Sequence, residues 1–236
     1  MSTAEGGGDI IRDGLVLLLD AANPRSYLSG STTWTDLSRS GNNGSLINGP
    51  TFNSLNNGSI VFDGVNDYVS VSDNSTINGT SQTISVWFKN LGTYTTGNQA
   101  AEVIGKHSAG GSFNGYGIFL ANDLGNVKIG AFIKNSSSNY VTPLSTQIIS
   151  SLNWYNATIT FTSSSQIILY LNGTFILSAS TGVLINSSQP LRIGQSNDLY
   201  WNVYSGSVVQ TSIYNRALSA TEIQQNFNAT RSRFGI

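Results

Sequence analysis

Cysteine is absent from the 236 residues, methionine and histidine each occur once, and charged residues make up only 10%. The absence of cysteine excludes disulfides, thiolate metal sites and cysteine nucleophiles. It does not weaken the fold, because a chain of this length buries a sizeable core without staples. Eleven basic side chains against twelve acidic ones leave a net charge of −1 and no basic stripe. Nucleic acid is therefore not an expected partner, since its binding needs Lys and Arg to neutralise phosphates. No apolar run approaches bilayer-spanning length, so membrane insertion is not expected. The opening Met1-Ser-Thr-Ala-Glu-Gly-Gly-Gly8 has neither the basic nor the apolar region of a signal peptide. Glutamate is scarce too: Glu5, Glu102 and Glu222, no two of them close in sequence.

Glycine, serine, threonine and asparagine dominate instead, the residues of turns and pleated, hydrogen-bonding surfaces. Residues 14–19 form an apolar run of buried-strand length that ends at Asp20. Residues 21–50 turn repeatedly, with Trp34 and Leu37 as anchors to the core edge. Further strands are expected at 59–62, 68–71, 82–89, 102–105, 116–121, 127–133, 154–162, 166–171, 174–177 and 191–193. Both faces of 82–89 are partly apolar, which predicts a central position. Asn172-Gly173 between two strand runs is a strong hairpin signal. The last strand, 204–214, places Val209, Thr211 and Ile213 on one side and Val208, Gln210, Ser212 and Tyr214 on the other. Ser219-Ala-Thr-Glu222 is a capping box, and Ile223 and Phe227 give the helix after it an apolar stripe. A single β-sandwich over 13–228 follows, with a flexible arm at 1–12 and a tail at 229–236.

The order of the pieces resembles a known family. Gly14-Leu-Val-Leu-Leu-Leu-Asp-Ala-Ala-Asn-Pro-Arg-Ser-Tyr27, Trp34-Thr-Asp-Leu-Ser38, Val61-Phe-Asp-Gly-Val-Asn-Asp-Tyr-Val69, Ile84-Ser-Val-Trp-Phe88, Leu169-Tyr-Leu-Asn-Gly173 and Ile213-Tyr-Asn-Arg-Ala-Leu-Ser219 carry it. They follow one another as in laminin-G-like domains of the concanavalin A-like lectin/glucanase superfamily, in the form found in structural proteins of tailed phages, marine phages especially. The resemblance spans nearly the whole chain. It implies an all-β fold, a two-sheet antiparallel jelly roll with one short C-terminal helix, its first and last strands close together. It also implies a non-enzymatic protein of the virion surface, a capsid decoration or appendage component with weak glycan adhesion. A carbohydrate-binding lectin module and a tail-fibre receptor-binding head are the alternatives. The implied partners are other virion proteins and host-surface glycans, with synthesis in the host cytoplasm. A homo-oligomer is compatible with such a role, although no heptad specifies one. Members often carry an acidic residue where Val209 stands, and a Val at Thr211, so a charged site on this strand is not expected.

The glucanases of that superfamily use closely spaced carboxylates on one strand face, a motif this chain lacks. His107, in Lys106-His-Ser-Ala-Gly-Gly111, is expected in an exposed loop, without the partners of a zinc site or a catalytic triad. The resemblance implies Ca²⁺ as an optional cofactor at the rim. Asp20, Asp67 and Asp198 are the candidate ligands; the alternative is that Asp63 and Asp67 bond their own turn backbone, and no dense acidic loop argues against it. Tyr200, Trp201, Asn202 and Tyr204 form the candidate carbohydrate platform, aromatic faces for stacking and an amide for direction. The alternative for Trp201 is packing over the sandwich mouth or into a subunit contact.

Overall fold

The computed structural model of the chain describes residues 9–94, 100–108, 114–134, 140–163, 166–180, 184–197 and 201–236. The strands in its first half are β1 (Leu15–Asp20), β2 (Thr33–Trp34), β3 (Gly44–Ile47), β4 (Thr51–Asn53), β5 (Ser59–Asp63), β6 (Tyr68–Val71), β7 (Gln82–Asn90) and β8 (Ala100–His107). Then come β9 (Gly115–Asp123), β10 (Asn126–Lys134), β11 (Tyr140–Val141), β12 (Leu144–Ile148), β13 (Trp154–Thr162), β14 (Gln166–Leu171), β15 (Thr174–Ser180), β16 (Leu191–Ile193) and β17 (Ser205–Tyr214). Helix α1 (Ala220–Thr230) and a 3-10 turn, Arg231–Phe234, complete the described chain.

Two antiparallel sheets face each other. The first runs β15-β14-β13-β7-β17-β5-β4, with β1 also on β17; the second runs β11-β10-β9-β8-β16-β6-β3-β2, with β12 also on β10. β7 therefore lies centrally, as its two apolar faces require. The inner faces meet in one core that includes Leu17, Leu19, Trp34, Phe62, Ile84, Phe88, Ile104, Tyr116, Phe161 and Tyr204. No helix among the described residues is long and apolar enough to cross a membrane.

β17 departs from simple alternation. Its register against β7 shifts between Val208 and Gln210. Val208 and Ile213 point into the main core, whereas Val209 packs with Trp87 and Phe227 on the other face. The bulge interrupts the alternation after Val209, so that Thr211 and Ile213 face the main core while Val209 faces outward, which corrects the grouping of Val209 with them. Both faces of β17 are buried because α1 lies across the outer one. Trp87 stacks on Phe227 at 5.6 Å and on Phe234 at 4.2 Å, and its indole N–H donates to Thr230 Oγ1 at 2.9 Å.

The capping box forms as expected: the Ser219 hydroxyl accepts from Glu222 N, and the Glu222 carboxylate accepts from Ser219 N at 2.8 Å. Parts of both end segments bond to the body of the domain. Within the expected arm, residues 9–12 are tied to the helix, Ile11 N donating to Asn226 Oδ1 at 2.8 Å. In the tail, Arg233 forks onto Asp20 at 3.0 and 3.1 Å. Residues 1–8 lie outside the described residues. The strands β2, β3, β4, β11 and β12 were not expected from the sequence; they are short and lie among turn residues.

Candidate functional site

Of the expected aromatic platform, Tyr200 lies outside the described residues, as does Asp198. Asn202 pairs with β8 through a parallel bridge to Ala101, its side chain donating to the Ala100 carbonyl at 3.1 Å, and the Trp201 ring beside it packs on the outer face of the second sheet. The Trp201 ring stands edge-on to Phe119 at 5.2 Å and Phe132 at 5.5 Å. Those two phenyl rings lie over glycines of the neighbouring strand. A Cβ on Gly130 would come within 2.3 Å of Phe119, and one on Gly117 within 2.3 Å of Phe132. Trp201 thus caps an aromatic cluster. Tyr204 does not join it: its ring is fully buried in the inter-sheet core and its hydroxyl donates to the Lys89 carbonyl at 2.8 Å. The core position removes Tyr204 from any surface platform.

His107 is not in an exposed loop. It ends β8 at 2% exposure, beside Glu102 at 0% and Ser196 at 1%. Glu102 Oε2 approaches His107 Nε2 at 2.8 Å, and Ser196 Oγ approaches the same nitrogen at 3.1 Å. Nδ1 faces the Ser108 carbonyl at 3.2 Å. A nucleophilic relay needs hydroxyl and carboxylate on opposite ring nitrogens, so this arrangement does not activate Ser196 through the imidazole. Sequence reading missed the pairing of Glu102 and His107 because of a bulge. The register of β8 shifts between Glu102 and Ile104, which brings residues five apart onto one face. The absent side chain of Gly105 makes room there, since a Cβ would lie 2.5 Å from the Glu102 carboxyl.

Of the aspartates proposed for calcium, Asp198 lies outside the described residues, and Asp20 and Asp67 are not brought together. Asp20 ends β1 opposite Gln210, and Asp63 ends β5 opposite Ser205. Five positions along β17 separate them by roughly 16 Å. Asp20 is occupied by Arg233 and by Gln210 Nε2 at 3.1 Å. Asp67 accepts from Asp63 N at 3.2 Å, and Asp63 accepts from Val65 N at 2.8 Å, the turn-bonding alternative. Burial holds the Asp67 carboxyl above the usual range, and the nearby Asp63 charge adds to it, against the lowering by the Asp63 N–H. Among the described residues no three His, Cys, Asp or Glu side chains gather as a metal site.

A groove that the sequence reading missed lies where the β14–β15 turn meets α1. Asn172 and Gly173 both have positive φ, +51° and +73°, as a two-residue hairpin turn of this type requires. The turn places Phe175 immediately beyond it, 56% exposed and perpendicular to Tyr170 at 6.3 Å. Facing it, Thr221, Gln224, Gln225 and Asn228 line one side of the helix at spacings of three and four, away from Ile223 and Phe227. Gln224 Nε2 approaches Asn228 Oδ1 at 3.4 Å, and Gln225 Nε2 donates to the Asp9 carbonyl at 2.9 Å. The groove holds about 710 Å³ and no charged side chain lines it. The helical stripe of uncharged amides was visible in the sequence; its juxtaposition with Phe175 was not.

A profile described as the concanavalin A-like lectin/glucanases superfamily matches residues 63–224. No curated protein sequence matches the chain. Among solved structures, the binding domain of Paraclostridial Mosquitocidal Protein 1 is similar with a TM-score of 0.71 at 21% identity, covering 92% of this chain and 52% of that one. The Botulinum neurotoxin serotype D ligand binding domain in complex with N-acetylneuraminic acid gives 0.72 at 15% identity, covering 92% and 51%. The Trypanosoma rangeli sialidase in complex with the inhibitor DANA gives 0.67 at 14% identity, covering 94% and 34%. The chain spans about half the length of the first of these, and at such identities the likeness is one of fold.

Proposed function

Because the chain belongs to the concanavalin A-like lectin/glucanases superfamily, we propose that it is a non-enzymatic glycan-binding module. Its proposed site is the groove between the β14–β15 turn and α1, and its ligand an uncharged sugar. The observation that carries this reading is the exposed Phe175 ring set against a stripe of side-chain amides. An aromatic face stacks on the apolar C–H face of a pyranose, and amides both donate to and accept from its hydroxyls. With no charged side chain in the groove, a neutral sugar loses least on desolvation. A solved domain of this fold is complexed with N-acetylneuraminic acid, which supports a glycan as the ligand class. The non-enzymatic part is supported by the buried, single-nitrogen contact of Glu102 and Ser196 with His107.

The test is a glycan array followed by calorimetry on the hits. Phe175→Ala should weaken a neutral-glycan hit about tenfold, near 1.4 kcal/mol, while Trp201→Ala leaves it unchanged. The reverse pattern would move the site to the outer face of the second sheet. No reproducible hit at all would remove the lectin reading.

A second reading, display on a virion surface, has one structural support. The chain at 9–12 is fastened to α1 through Ile11 and Gln225, a firm exit point for a tether.

A further inference from the structure

At the opposite edge of the first sheet from the Phe175 groove, where β1 closes against the end of α1, lies a second cavity of about 490 Å³. Its lining holds Arg12, Arg25, Arg39 and Arg233 against Asp9 and Asp20, in a chain whose net charge is −1. Four of the eleven basic residues therefore converge on one place. They come from separate segments: the irregular stretch leading into β1, the turn after it, the turn before β3, and the 3-10 turn after α1.

The internal balance of the cavity leaves positive charge over. Asp20 is taken up by Arg233, whose two Nη atoms fork onto its two oxygens. Arg233 Nε is buried and has no hydrogen-bond partner among the described residues. Arg12, Arg25 and Arg39 form no ion pair with any carboxylate among the described residues. Asp9 is the only further acid in the lining. Like charges lining one cavity repel unless an anion sits between them.

Two of the arginines are carried on braced turns. Buried Asp36 accepts from Leu18 N, Ser38 N, Ser38 Oγ and Asn42 N, at 2.7 to 3.0 Å, and so fixes the loop that presents Arg39. Arg39 itself has φ +80°, a conformation a glycine or asparagine would adopt at less cost. Asn23 Oδ1 accepts from Arg25 N at 3.0 Å and fixes the second turn. The guanidinium groups are thereby offered on a rigid frame, as recognition of a multivalent oxyanion requires.

We infer that this cavity binds an organic anion of about monosaccharide size that bears a phosphate or sulfate ester. The volume exceeds that of a bare ion and falls within the range of small-ligand sites. Arg12, Arg25 and Arg39 engage the ester oxygens, and Arg233 orients behind them, held by Asp20. The site is separate from the Phe175 groove and stands or falls independently of it.

The experiment is an NMR titration of the isotope-labelled full chain with glucose 6-phosphate, glucose 6-sulfate and glucose. Saturable shifts around residues 23–25 and 36–40 with either ester, and none with glucose, are expected; the tighter ester identifies the group. Raising salt from about 20 to 200 mM should weaken binding, as screening shortens the reach of the arginines. The Arg12→Ser/Arg39→Ser variant alters two exposed side chains outside the strands and should bind at least tenfold more weakly with an unchanged spectrum elsewhere. Phe175→Ala should bind the ester as the parent does. Absence of saturable binding by either ester, equal binding of glucose, or equal binding by the double variant overturns the inference.

Discussion

Trp87 organises the helix side of the molecule through one ring. It lies on the outer face of β7, 2% exposed, with Phe227 and Phe234 stacked on it and Thr230 accepting from its N–H. The sequence places Trp87 on the β7 face opposite Ile84 and Phe88, but nothing local says that a helix and a 3-10 turn more than 130 residues later will cover it. Tyr204 makes the converse point. Three residues from Trp201, it belongs to the core instead, because the chain turns into β17 there and aims the ring inward. Arg39 is one of several non-glycine residues whose left-handed backbone works against stability. Arg39→Gly should stabilise the fold by about 0.5–1 kcal/mol, by relieving the left-handed conformation. Urea denaturation would measure it, and the same variant should lose affinity for the sugar ester. A loss of stability would mean that the Arg39 side chain contributes more to the fold than its backbone costs.

At the scale of elements, α1 was legible from its cap alone. Ser219, Glu222, Ile223 and Phe227 stand at the positions a capped amphipathic helix needs, and each does what that pattern predicts. The Asn172-Gly173 hairpin was equally local. The bulges in β8 and β17 were not, because an extra residue in one strand is defined only against its partner. Glu222 also links the helix to pH. Hydrogen bonds from the Arg216 guanidinium first, then from the Ser219 N–H, hold its carboxyl down at about 2. The group is ionised in both states well above pH 4.5, so its stabilisation is complete there. It is lost as pH falls from about 4.5 towards 2. Glu222→Gln should therefore flatten the acid limb of the stability profile in that window, and cost less than ~1 kcal/mol at neutral pH, since the pair is partly solvated. Thermal melts of both proteins between pH 2 and 7 would test this, and parallel acid limbs would refute the assignment.

For the whole molecule, the display reading makes its own demand. If the protein coats a virion, it should co-purify with particles, and cryo-EM should show the chain fastened near residues 9–12. Recovery only in the free fraction of an infected culture would remove that role and leave the glycan module standing alone. The two-sheet architecture was available from the sequence, because strand periodicity, turn residues and a helix cap are properties of neighbours along the chain. The superfamily membership followed from the same segments in their order. The proposed functional surfaces were decided in three dimensions. Phe175 meets the amides of α1 across some fifty residues of sequence, and Arg12 meets Arg233 across more than two hundred. Glu102 meets His107 only through a bulge, and Trp201 and Tyr204 part company across the thickness of a sheet. Local sequence reports local backbone preference; a site is a coincidence of distant segments, and only the packing of the two sheets with the helix brings those segments together.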